Sequence, residues 1–538
     1  MALVAVAIPF TVDPQHPMLR HAFFLICALV PLTAVAQPGR PAFDSGATAP
    51  AAVAPPVVAP VPPPANPAER PAWLRARLDA LFASPALAGA KISVMVLDAE
   101  TGKPIYGRNE KTGLNAASNV KLVTEAAALT LLGPEFRWKT SVLGPTPPEG
   151  GRAVNPAGEL QGDLFVRASG DPTLTTQDLA EIASELGAVG LRKVRGGLVV
   201  DASAFDSATV GPSYDEKDDP AAFRAPSSAA SLNNNAVSVI ITPGPSAGAP
   251  ARVVLDPPST NLVLSGRVIT ANQGPAAPIV QTSDAGKGQT RVTVSGRVRL
   301  GSETHIVLRR IVTPDLFLGQ TFQQILQKRG IAIDKPVRVA AAPKDGLRTL
   351  STHDSPTLAV VVHELGKRSN NFVAEQVLRT LGGEVMGRPG TWQKGLDAVA
   401  RYLDGMGIGK SSYTMRNGSG LYDSNRFSAE QIAMVIRAAM RDFRISGEFL
   451  ASLAVSGADG TLANRMSGTA AERYVRAKTG TLAKVSCLSG VAGAPGQKPL
   501  VFSMLMNDVR SPVEARVVQD QATELLVGFL DPALLEKR

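Results

Sequence analysis

A block of short β-like runs, from residue 136 to residue 339, lies between two segments in which helical and strand-like patterns occur together. Inside the block, runs such as 237–241 alternate with turns rich in glycine and proline, a pattern typical of β-sheet. Long helical patterns return from residue 357 onward, and two further strand-like runs precede a final helix. The chain is therefore α/β (α+β), either as three domains in a row or as one domain interrupted by a β-rich insertion.

The first candidate catalytic group is Ser118-Asn119-Val120-Lys121, which opens a helical pattern that closes at Gly133. Residues three apart share one face of a helix, so the Lys121 amine can lie over the Ser118 hydroxyl. A serine hydroxyl is a weak nucleophile until a base takes its proton, and a lysine whose pKa is lowered by burial or by nearby cations can be that base. On its own the motif is weak, because a helix-capping serine followed by a solvated lysine is the more common arrangement.

The second candidate group is Ser369-Asn370-Asn371, which lies in the break between two helical patterns. A hydroxyl at such a break can pass a proton to a leaving amine, and the Asn371 amide can hold a substrate carbonyl. An ordinary helix cap is the alternative, and residues 231–233 match the same Ser-x-Asn spacing elsewhere in the chain.

The third candidate group is Lys478-Thr479-Gly480-Thr481, which follows a short strand-like run and precedes two more. An edge strand offers unpaired backbone groups to an extended peptide, and glycine lets that peptide approach closely. The lysine and threonine side chains suit a terminal carboxylate, and the N–H of Thr481 would complete an oxyanion hole with that of the candidate nucleophile. The similar run at residues 111–113 lies in a predicted turn, and we interpret it as structural.

The order of the three groups decides between the two domain arrangements. Together they form the set found in penicillin-binding proteins and class A β-lactamases. One active site then needs Ser118 from the first segment and both Ser369 and Lys478 from the last, so the β-rich block is an insertion in a discontinuous domain. The predicted bounds are 71–135 for the first part of the catalytic domain, 136–339 for the inserted domains and 340–538 for the second part.

Beyond these groups, the chain resembles the class C low-molecular-mass penicillin-binding proteins, the D-alanyl-D-alanine carboxypeptidase/endopeptidase family of penicillin-binding protein 4. The resemblance covers nearly all of residues 75–530 and includes four further segments, two of them inside the β-rich block: 168–174, 199–205, 417–421 and 455–462. It implies a β-lactamase/transpeptidase-like catalytic domain interrupted by inserted β-rich domains. One inserted domain is nested in the other, with an inner part at about residues 206–305.

The resemblance implies a serine-type D-Ala-D-Ala carboxypeptidase and D,D-endopeptidase that is acylated by β-lactam antibiotics. Its substrates would be peptidoglycan peptides that end in D-Ala-D-Ala or contain D-Ala cross-links. Matched residue by residue, the family pattern makes Ser118 the acylated nucleophile, Lys121 its base and Ser369 the proton relay. The implied substrate-binding residues are one on the acyl side and four at the carboxylate end: Asn371, then Lys478, Thr479, Gly480 and Thr481.

The chain departs from the family pattern close to the expected site. Asn417 stands where the family usually has Asp, and Tyr422-Asp423 stand where it often has Ser-Arg. In the family this region helps to recognise the side chain of the substrate's diamino acid, so the preferred diamino acid stays open. Asp201, in the insertion, is a further substrate-binding candidate for the far end of the substrate, with a purely structural insertion as the alternative.

Two other functions stay open on the sequence. A β-lactamase-like hydrolase would need a dedicated base to hydrolyse the acyl-enzyme, and the sequence does not locate one. A catalytically silent cell-wall binding protein would keep the fold but would have no need of Lys121.

The N-terminal region predicts export to the periplasm. Residues 18–36 combine a basic start, an apolar stretch and an A-x-A cleavage signal, which predicts a signal peptide with either Met1 or Met18 as the first residue. Residues 37–70, rich in proline and alanine, predict a linker. The final helical pattern is expected to pack on a sheet, with at most peripheral membrane contact.

Composition restricts the partners and cofactors of the chain. The formal charge of +9 favours anionic neighbours, but the basic residues are scattered, so no nucleic-acid partner is expected. Cys27 would leave with the signal peptide, and Cys487 is then predicted to be a buried, inert thiol. The five histidines show no metal-ligand spacing, so neither a metal nor another cofactor is expected.

Overall fold

The computed structural model describes residues 62–147, 150–214 and 219–536. The predicted signal peptide and the predicted linker up to residue 61 lie outside the described residues. The helices of the described residues are α1 Arg70–Phe82, α2 Val120–Leu132, α3 Thr176–Ala188, α4 Pro314–Lys328, α5 Leu358–Arg368, α6 Asn371–Met386, α7 Trp392–Asp404, α8 Ala429–Arg441, α9 Ser446–Ser452, α10 Pro512–Leu530 and α11 Ala533–Glu536.

The strands of the same residues are β1 Lys91–Asp98, β2 Pro104–Arg108, β3 Lys139–Pro145, β4 Glu159–Leu160, β5 Leu164–Arg167, β6 Lys193–Asp201, β7 Ala236–Thr242, β8 Arg252–Asp256, β9 Leu262–Gly266, β10 Ile269–Ala271, β11 Ala277–Gly286, β12 Gln289–Arg299, β13 His305–Arg310, β14 Ala332–Val339, β15 Leu347–Asp354, β16 Ala454–Val455, β17 Val475–Leu482, β18 Val485–Ala492 and β19 Leu500–Asn507.

The early and late parts of the chain build one six-stranded antiparallel sheet in the order β16-β17-β18-β19-β1-β2. β1 and β2 form the predicted hairpin, and β1 pairs along its whole length with β19 from the other end of the chain. Because strands so far apart in sequence share one sheet, the two parts fold as a single discontinuous domain.

Helices cover both faces of this sheet, since alternate side chains of each strand point to opposite faces. On one face, α1 and α10 pack over side chains such as Val94 and Phe502. On the other face, α2 and α5 to α9 form a larger core with side chains such as Met95 and Leu505. α2 lies inside that core, and every residue from 120 to 129 is buried, as expected for a helix enclosed on all sides.

The inserted segment builds three further sheets that share one hydrophobic core. The first has the order β14-β6-β5-β3-β15, with β4 beside β6, and α3 and α4 contribute to its core. The strands between 236 and 310 form a three-stranded sheet, β13-β7-β8, and a four-stranded sheet in which β12 lies between β10 and β11 and also pairs with β9.

The bounds of the inserted sheets differ somewhat from the predicted domain bounds. β3 begins at Lys139 and pairs antiparallel with β15, which ends at Asp354. The inserted sheet thus extends past the predicted boundary at residue 339. The inner strands β7 to β13 span residues 236–310, compared with a predicted inner part of about 206–305.

The long terminal helix α10 packs on the first sheet, as predicted, through side chains that include Ala515, Val518 and Leu526. Within the described ranges of the chain, no helix is both long enough and apolar enough to span a bilayer.

Candidate active site

Ser118 lies in a short 3-10 turn, Ala117–Asn119, directly before α2 rather than in its first turn. Ala117 has a φ of 44°, in the left-handed region that side chains other than glycine seldom adopt. The side chain of Asn115 holds this turn by accepting the Ala117 N–H at 2.8 Å. Gly420 packs so closely that a Cβ there would lie 1.9 Å from the Ala117 carbonyl oxygen. The strained turn presents a partly exposed Ser118 hydroxyl.

The Lys121 amine is fully buried and lies 3.0 Å from Ser118 Oγ. It donates to Oδ1 of Asn371 at 2.7 Å and to the carbonyl of Ser419 at 2.6 Å. Burial lowers the pKa of Lys121 well below its ordinary value, and the positive charge of Lys478 lowers it further. A lysine that loses its extra proton beside a hydroxyl can act as a general base toward it.

The second motif lies in the break between α5 and α6, as the sequence predicts. Ser369 has a φ of 57° just past the end of α5, and the side chain of Asn370 caps α6 by accepting a backbone N–H at 3.3 Å. Ser369 Oγ accepts a hydrogen bond from Lys478 at 2.7 Å, while Asn371 accepts one from Lys121. One helix break thus contacts both lysines of the site.

The third motif lies on β17, which is paired on its outer edge only at its start. The two residues of β16 pair with Arg476 and Ala477, so no strand of the described residues covers that edge from Lys478 onward. A Cβ on Gly480 would lie 3.0 Å from the carbonyl oxygen of Ala116, so β17 passes close to the turn that holds the candidate nucleophile. An extended peptide can therefore pair with β17 beside that turn.

Lys478 is fully buried behind this edge and connects the three motifs. Its amine donates to Ser369, and its carbonyl accepts a hydrogen bond from the Asn119 side chain at 3.1 Å. Burial lowers the pKa of Lys478 to about 8. Near neutral pH this lysine still carries a positive charge toward the site, which suits a substrate carboxylate.

Several groups in direct contact with the motifs were not predicted as site residues. The carbonyl of Ser419 accepts from the first lysine, and Thr461 accepts a hydrogen bond from Thr479 at 2.9 Å. Arg516, on α10, donates to the Thr481 hydroxyl at 3.3 Å. Ser419 and Thr461 lie in two of the segments that resemble the family, and this resemblance is the sequence signal that could have identified them as site residues. Nothing in the local sequence distinguishes Arg516.

The insertion contributes two groups to the floor of the site. The carbonyl of Phe223 accepts a hydrogen bond from Nδ2 of Asn371 at 3.2 Å. The buried hydroxyl of Tyr214 lies 2.8 Å from Ser419 Oγ and donates to Glu375 at 3.3 Å. Glu375 in turn accepts the backbone N–H of Ser419 at 2.9 Å. The insertion therefore contacts two of the three residues that accept hydrogen bonds from the Lys121 amine, Asn371 and Ser419.

Asp201 is not joined to the three motifs by any hydrogen bond of the described residues. Its carboxyl is buried at the end of β6, where it accepts the Ser203 N–H at 3.0 Å and the Arg167 Nε–H at 3.2 Å. These bonds favour the structural alternative for Asp201, and its contact with substrate stays a prediction.

The two departures from the family pattern have different surroundings. Asn417 is buried and supports its own turn, because its Oδ1 accepts the Gly420 N–H at 2.9 Å. Asp423 is exposed and accepts from Asn115 at 2.8 Å, the residue that also holds the nucleophile turn, and it pairs with Arg426 at 2.9 Å. The rim of the site therefore carries a carboxylate where the family often has an arginine.

Cys487 is buried, as predicted, and burial raises the pKa of its thiol to about 12. A thiol with this pKa stays protonated and unreactive near neutral pH. Within the ranges that the structure describes, no three histidine, cysteine or acidic side chains are grouped so that they could hold a metal ion.

Comparison with known proteins agrees with this geometry. A sequence model of the D-Ala-D-Ala carboxypeptidase 3 (S13) family matches residues 74–527. The D-alanyl-D-alanine carboxypeptidase of Actinomadura sp. (strain R39) is 34% identical over 465 residues, which cover 84% of this chain and 84% of that protein. The D-alanyl-D-alanine carboxypeptidase DacB of Haemophilus influenzae is 26% identical over 423 residues, 78% of this chain and 86% of that protein.

A solved structure shares the fold. The crystal structure of penicillin binding protein 4 from Haemophilus influenzae superposes with a TM-score of 0.71 at 24% sequence identity. The superposition covers 83% of this chain and 97% of that one. The predicted fold class, a β-lactamase/transpeptidase-like domain interrupted by β-rich insertions, is thereby confirmed.

Proposed function

Because the chain belongs to the D-Ala-D-Ala carboxypeptidase 3 (S13) family of peptidases, we propose that it removes the terminal D-alanine of peptidoglycan peptides through an acyl-enzyme on Ser118. The same acylation would open D-Ala cross-links, which makes the chain a D,D-endopeptidase as well. A β-lactam would be attacked in the same way and would remain attached as a stable ester.

The surroundings of the Lys121 amine carry this proposal. Two of its three contacts, Asn371 Oδ1 and the Ser419 carbonyl, can only accept hydrogen bonds. A neutral amine would satisfy both with its two hydrogens, and its lone pair would then face the Ser118 hydroxyl 3.0 Å away. That arrangement is the one a general base needs before it takes the hydroxyl proton.

In the proposed reaction, Ser118 Oγ attacks the carbonyl carbon of the penultimate D-Ala while Lys121 takes the hydroxyl proton. The backbone N–H groups of Ser118 and Thr481 would stabilise the oxygen that becomes negative. The C–N bond then breaks, and the proton that Lys121 took reaches the leaving amine of D-alanine through Ser369, so that Lys121 is neutral again. A water molecule finally hydrolyses the ester, which frees Ser118 and releases the shortened peptide.

The carboxylate end of the substrate would lie along β17. Lys478 supplies a positive charge, and the hydroxyls of Thr479 and Thr481 supply donors beside it. Gly480 leaves room for the peptide to pair with the open edge of the strand. On the other side, the amide of Asn371 would hold the acyl part of the substrate.

The proposed place of work is the periplasm, because peptidoglycan lies outside the cytoplasmic membrane and residues 18–36 have the pattern of a signal peptide. Sequencing the N-terminus of the mature protein from a periplasmic extract tests this. A protein that begins at Gln37 supports export, whereas an uncleaved chain in the cytoplasm contradicts it.

Penicillin labelling tests the function and the nucleophile together. Intact-mass measurement should show one added penicillin per chain, and peptide mapping should place it on Ser118. The purified protein should release D-alanine from a peptide that ends in D-Ala-D-Ala. Labelling that survives Ser118→Ala, or an adduct on another residue, would refute the assignment.

A further inference from the structure

Glu125 is a buried carboxyl in the catalytic domain that the proposed reaction does not use. It lies on α2, one turn beyond Lys121, and its side chain is fully buried. The Ser452 hydroxyl donates to its Oε2 at 3.1 Å, whereas its Oε1 has no hydrogen-bond partner among the described residues. The four residues that follow it on the helix, 126 to 129, are apolar and buried, so packing alone does not explain a carboxyl at this position. A buried charge of this kind persists only where opposite charges compensate it.

The compensating charges are those of the two active-site lysines. Lys121 and Lys478 are both fully buried, and the charge of each acts on Glu125. None of the hydrogen bonds from the two lysine amines reaches a carboxylate, because their acceptors are hydroxyl, amide and carbonyl oxygens. Glu125 is therefore placed to balance the charge of the lysine pair.

The other charged groups packed against this cluster have partners of their own. Glu375, from α6, accepts the N–H groups of Gly418 and Ser419 and that of the Trp392 ring. Lys367, from α5, donates to the Asp459 carboxylate at 2.7 Å and to a backbone carbonyl. Glu125 is thus the remaining carboxylate of the cluster that has a free oxygen.

We propose that Glu125 is a positioning residue that holds the buried negative charge of the active site, so that Lys478 stays cationic for the substrate carboxylate while Lys121 is neutral for catalysis. The inference rests on the acylation function proposed above. In the active state the three buried groups carry one positive and one negative charge, so the cluster as a whole is neutral. A neutral cluster is far less costly to bury than a single charged lysine.

The titration behaviour of the three groups agrees with this arrangement. Burial raises the pKa of Glu125 to about 7, and burial lowers the pKa of Lys478 to about 8. As the pH rises through about 7, Glu125 becomes a carboxylate, and as it rises above about 8, Lys478 loses its positive charge. Burial and the charge of Lys478 lower the pKa of Lys121, and the negative charges of Glu375 and, to a smaller extent, Glu125 raise it.

The test is the pH profile of penicillin acylation in Glu125→Gln, a change that keeps the shape and removes the charge. Without the negative charge, the pKa values of both lysines fall. The acylation rate rises with pH as Lys121 loses its proton and falls again as Lys478 loses its own. Both limbs of the pH–rate profile therefore move to lower pH. A shift of roughly one to three pH units is expected for the loss of a close opposite charge. At pH 8 the KM for a D-Ala-D-Ala peptide should rise by about fivefold for a shift of one unit and by about fiftyfold for two, because the fraction of cationic Lys478 falls from about one half by the same factors.

Two variants control for structural damage. Thr124→Val removes a buried hydroxyl from the same turn of α2, where it donates to the Gly418 carbonyl at 2.9 Å, and leaves every charge in place. This variant should at most lower the acylation rate, and both limbs of its pH–rate profile should stay at the wild-type pH values. Glu125→Asp should bring the limbs back toward the wild-type positions. Limbs that stay in place in Glu125→Gln, or that move equally in Thr124→Val, would overturn the inference.

A measurement on the wild-type protein covers the case in which Glu125→Gln does not fold. In protein labelled with 13C at the glutamate carboxyls, one buried signal should titrate near pH 7 and should shift when penicillin acylates the enzyme. A buried carboxyl signal that stays protonated from pH 5 to pH 9 would overturn the inference. Absence of any penicillin adduct in the wild type would instead refute the proposed function, which separates the two failures.

Discussion

Two buried lysines in one site receive different tasks from their surroundings. The Lys121 amine faces the Ser118 hydroxyl and two neutral acceptors, an amide oxygen and a backbone carbonyl. None of these contacts is a carboxylate that would stabilise the protonated amine. The Lys478 amine lies behind the open edge of β17, and the attraction of Glu125 opposes the loss of its proton. Environments that separate the pKa values of like groups are a general way to assign acid, base and binding roles.

Replacing Lys121 with Met should remove the base while nearly preserving side-chain volume. In the variant the opposite charges of Glu125 and Lys478 still compensate each other, so it should fold, but the proton of Ser118 would have no acceptor. We expect the rate of penicillin acylation to fall by about 10²–10⁴-fold, the usual contribution of a general base. Stopped-flow or timed mass measurements check this, with the thermal unfolding midpoint as the control for folding. A rate close to that of the wild type would contradict the role of Lys121.

At the scale of single residues, the sequence identifies side chains but not backbone acceptors. Ser118, Lys121, Ser369, Asn371 and Lys478 could be predicted because their spacing has a chemical meaning in itself, and the structure brings them together. The carbonyl of Ser419 could not, since any residue offers a carbonyl and only the fold decides its direction. Glu125 could not be predicted either, because nothing in the sequence of α2 shows that the charge of this glutamate acts on both lysines of the site.

At the scale of elements, the site depends on a loop of the insertion as well as on the catalytic domain. Tyr214, in that loop, touches the side chain of Ser419 and the carboxyl of Glu375. Glu375 holds the backbone N–H of Ser419, whose carbonyl accepts from Lys121. A hydrogen-bond chain thus runs from the insertion to the proposed base, and such chains orient the groups at their ends.

Removing the Tyr214 hydroxyl should leave the amine of Lys121, the proposed base, less firmly held in position. In Tyr214→Phe, the Glu375 carboxylate loses a donor, the Ser419 hydroxyl loses an acceptor, and the Ser419 carbonyl is held less firmly. We expect acylation to slow by roughly tenfold, the effect of about 1–1.5 kcal/mol for one neutral hydrogen bond. The measurement is the second-order rate constant with penicillin, together with the unfolding midpoint.

Tyr413→Phe is a matched control for that loss. The Tyr413 ring stacks on Phe427 with centroids 5.1 Å apart, and none of the hydrogen bonds of the described residues joins its hydroxyl to the active site. The control should acylate at the wild-type rate. Equal slowing in both variants would show that tyrosine hydroxyls act on general stability and not on Lys121.

At the scale of the whole molecule, the discontinuous domain could be predicted and the exact bounds of the insertion could not. Three motifs that must share one site require the two ends of the chain to meet, and the shared sheet confirms that. The predicted bound at residue 339 does not include β15, which has a polar sequence with most side chains at least partly exposed. Without alternating apolar residues, such a strand gives no periodic signal.

Arg379 links the catalytic domain to the insertion. It lies on α6, is fully buried, and its guanidinium is placed between the rings of Phe205 at 4.4 Å and Trp392 at 4.2 Å. It also donates to the Asp206 carboxylate at 2.6 Å and to the Ser227 carbonyl at 2.8 Å. Three of these four partners belong to the insertion, so the packing of α6 and that of the insertion depend on one side chain.

Replacing Arg379 with Gln should therefore destabilise the two parts together. The change removes the cation from between two rings and leaves the buried Ser227 carbonyl and the partly exposed Asp206 carboxylate without a donor, which together cost about 2–4 kcal/mol. Calorimetry should show one cooperative transition at a clearly lower temperature. Arg388→Gln, which breaks the exposed pair with Glu384 near the end of the same helix, should cost at most about 0.5 kcal/mol. If Arg379→Gln is no more destabilising than Arg388→Gln, or if its transition splits so that the catalytic part unfolds unchanged, Arg379 does not couple the insertion to the domain that holds the proposed active site.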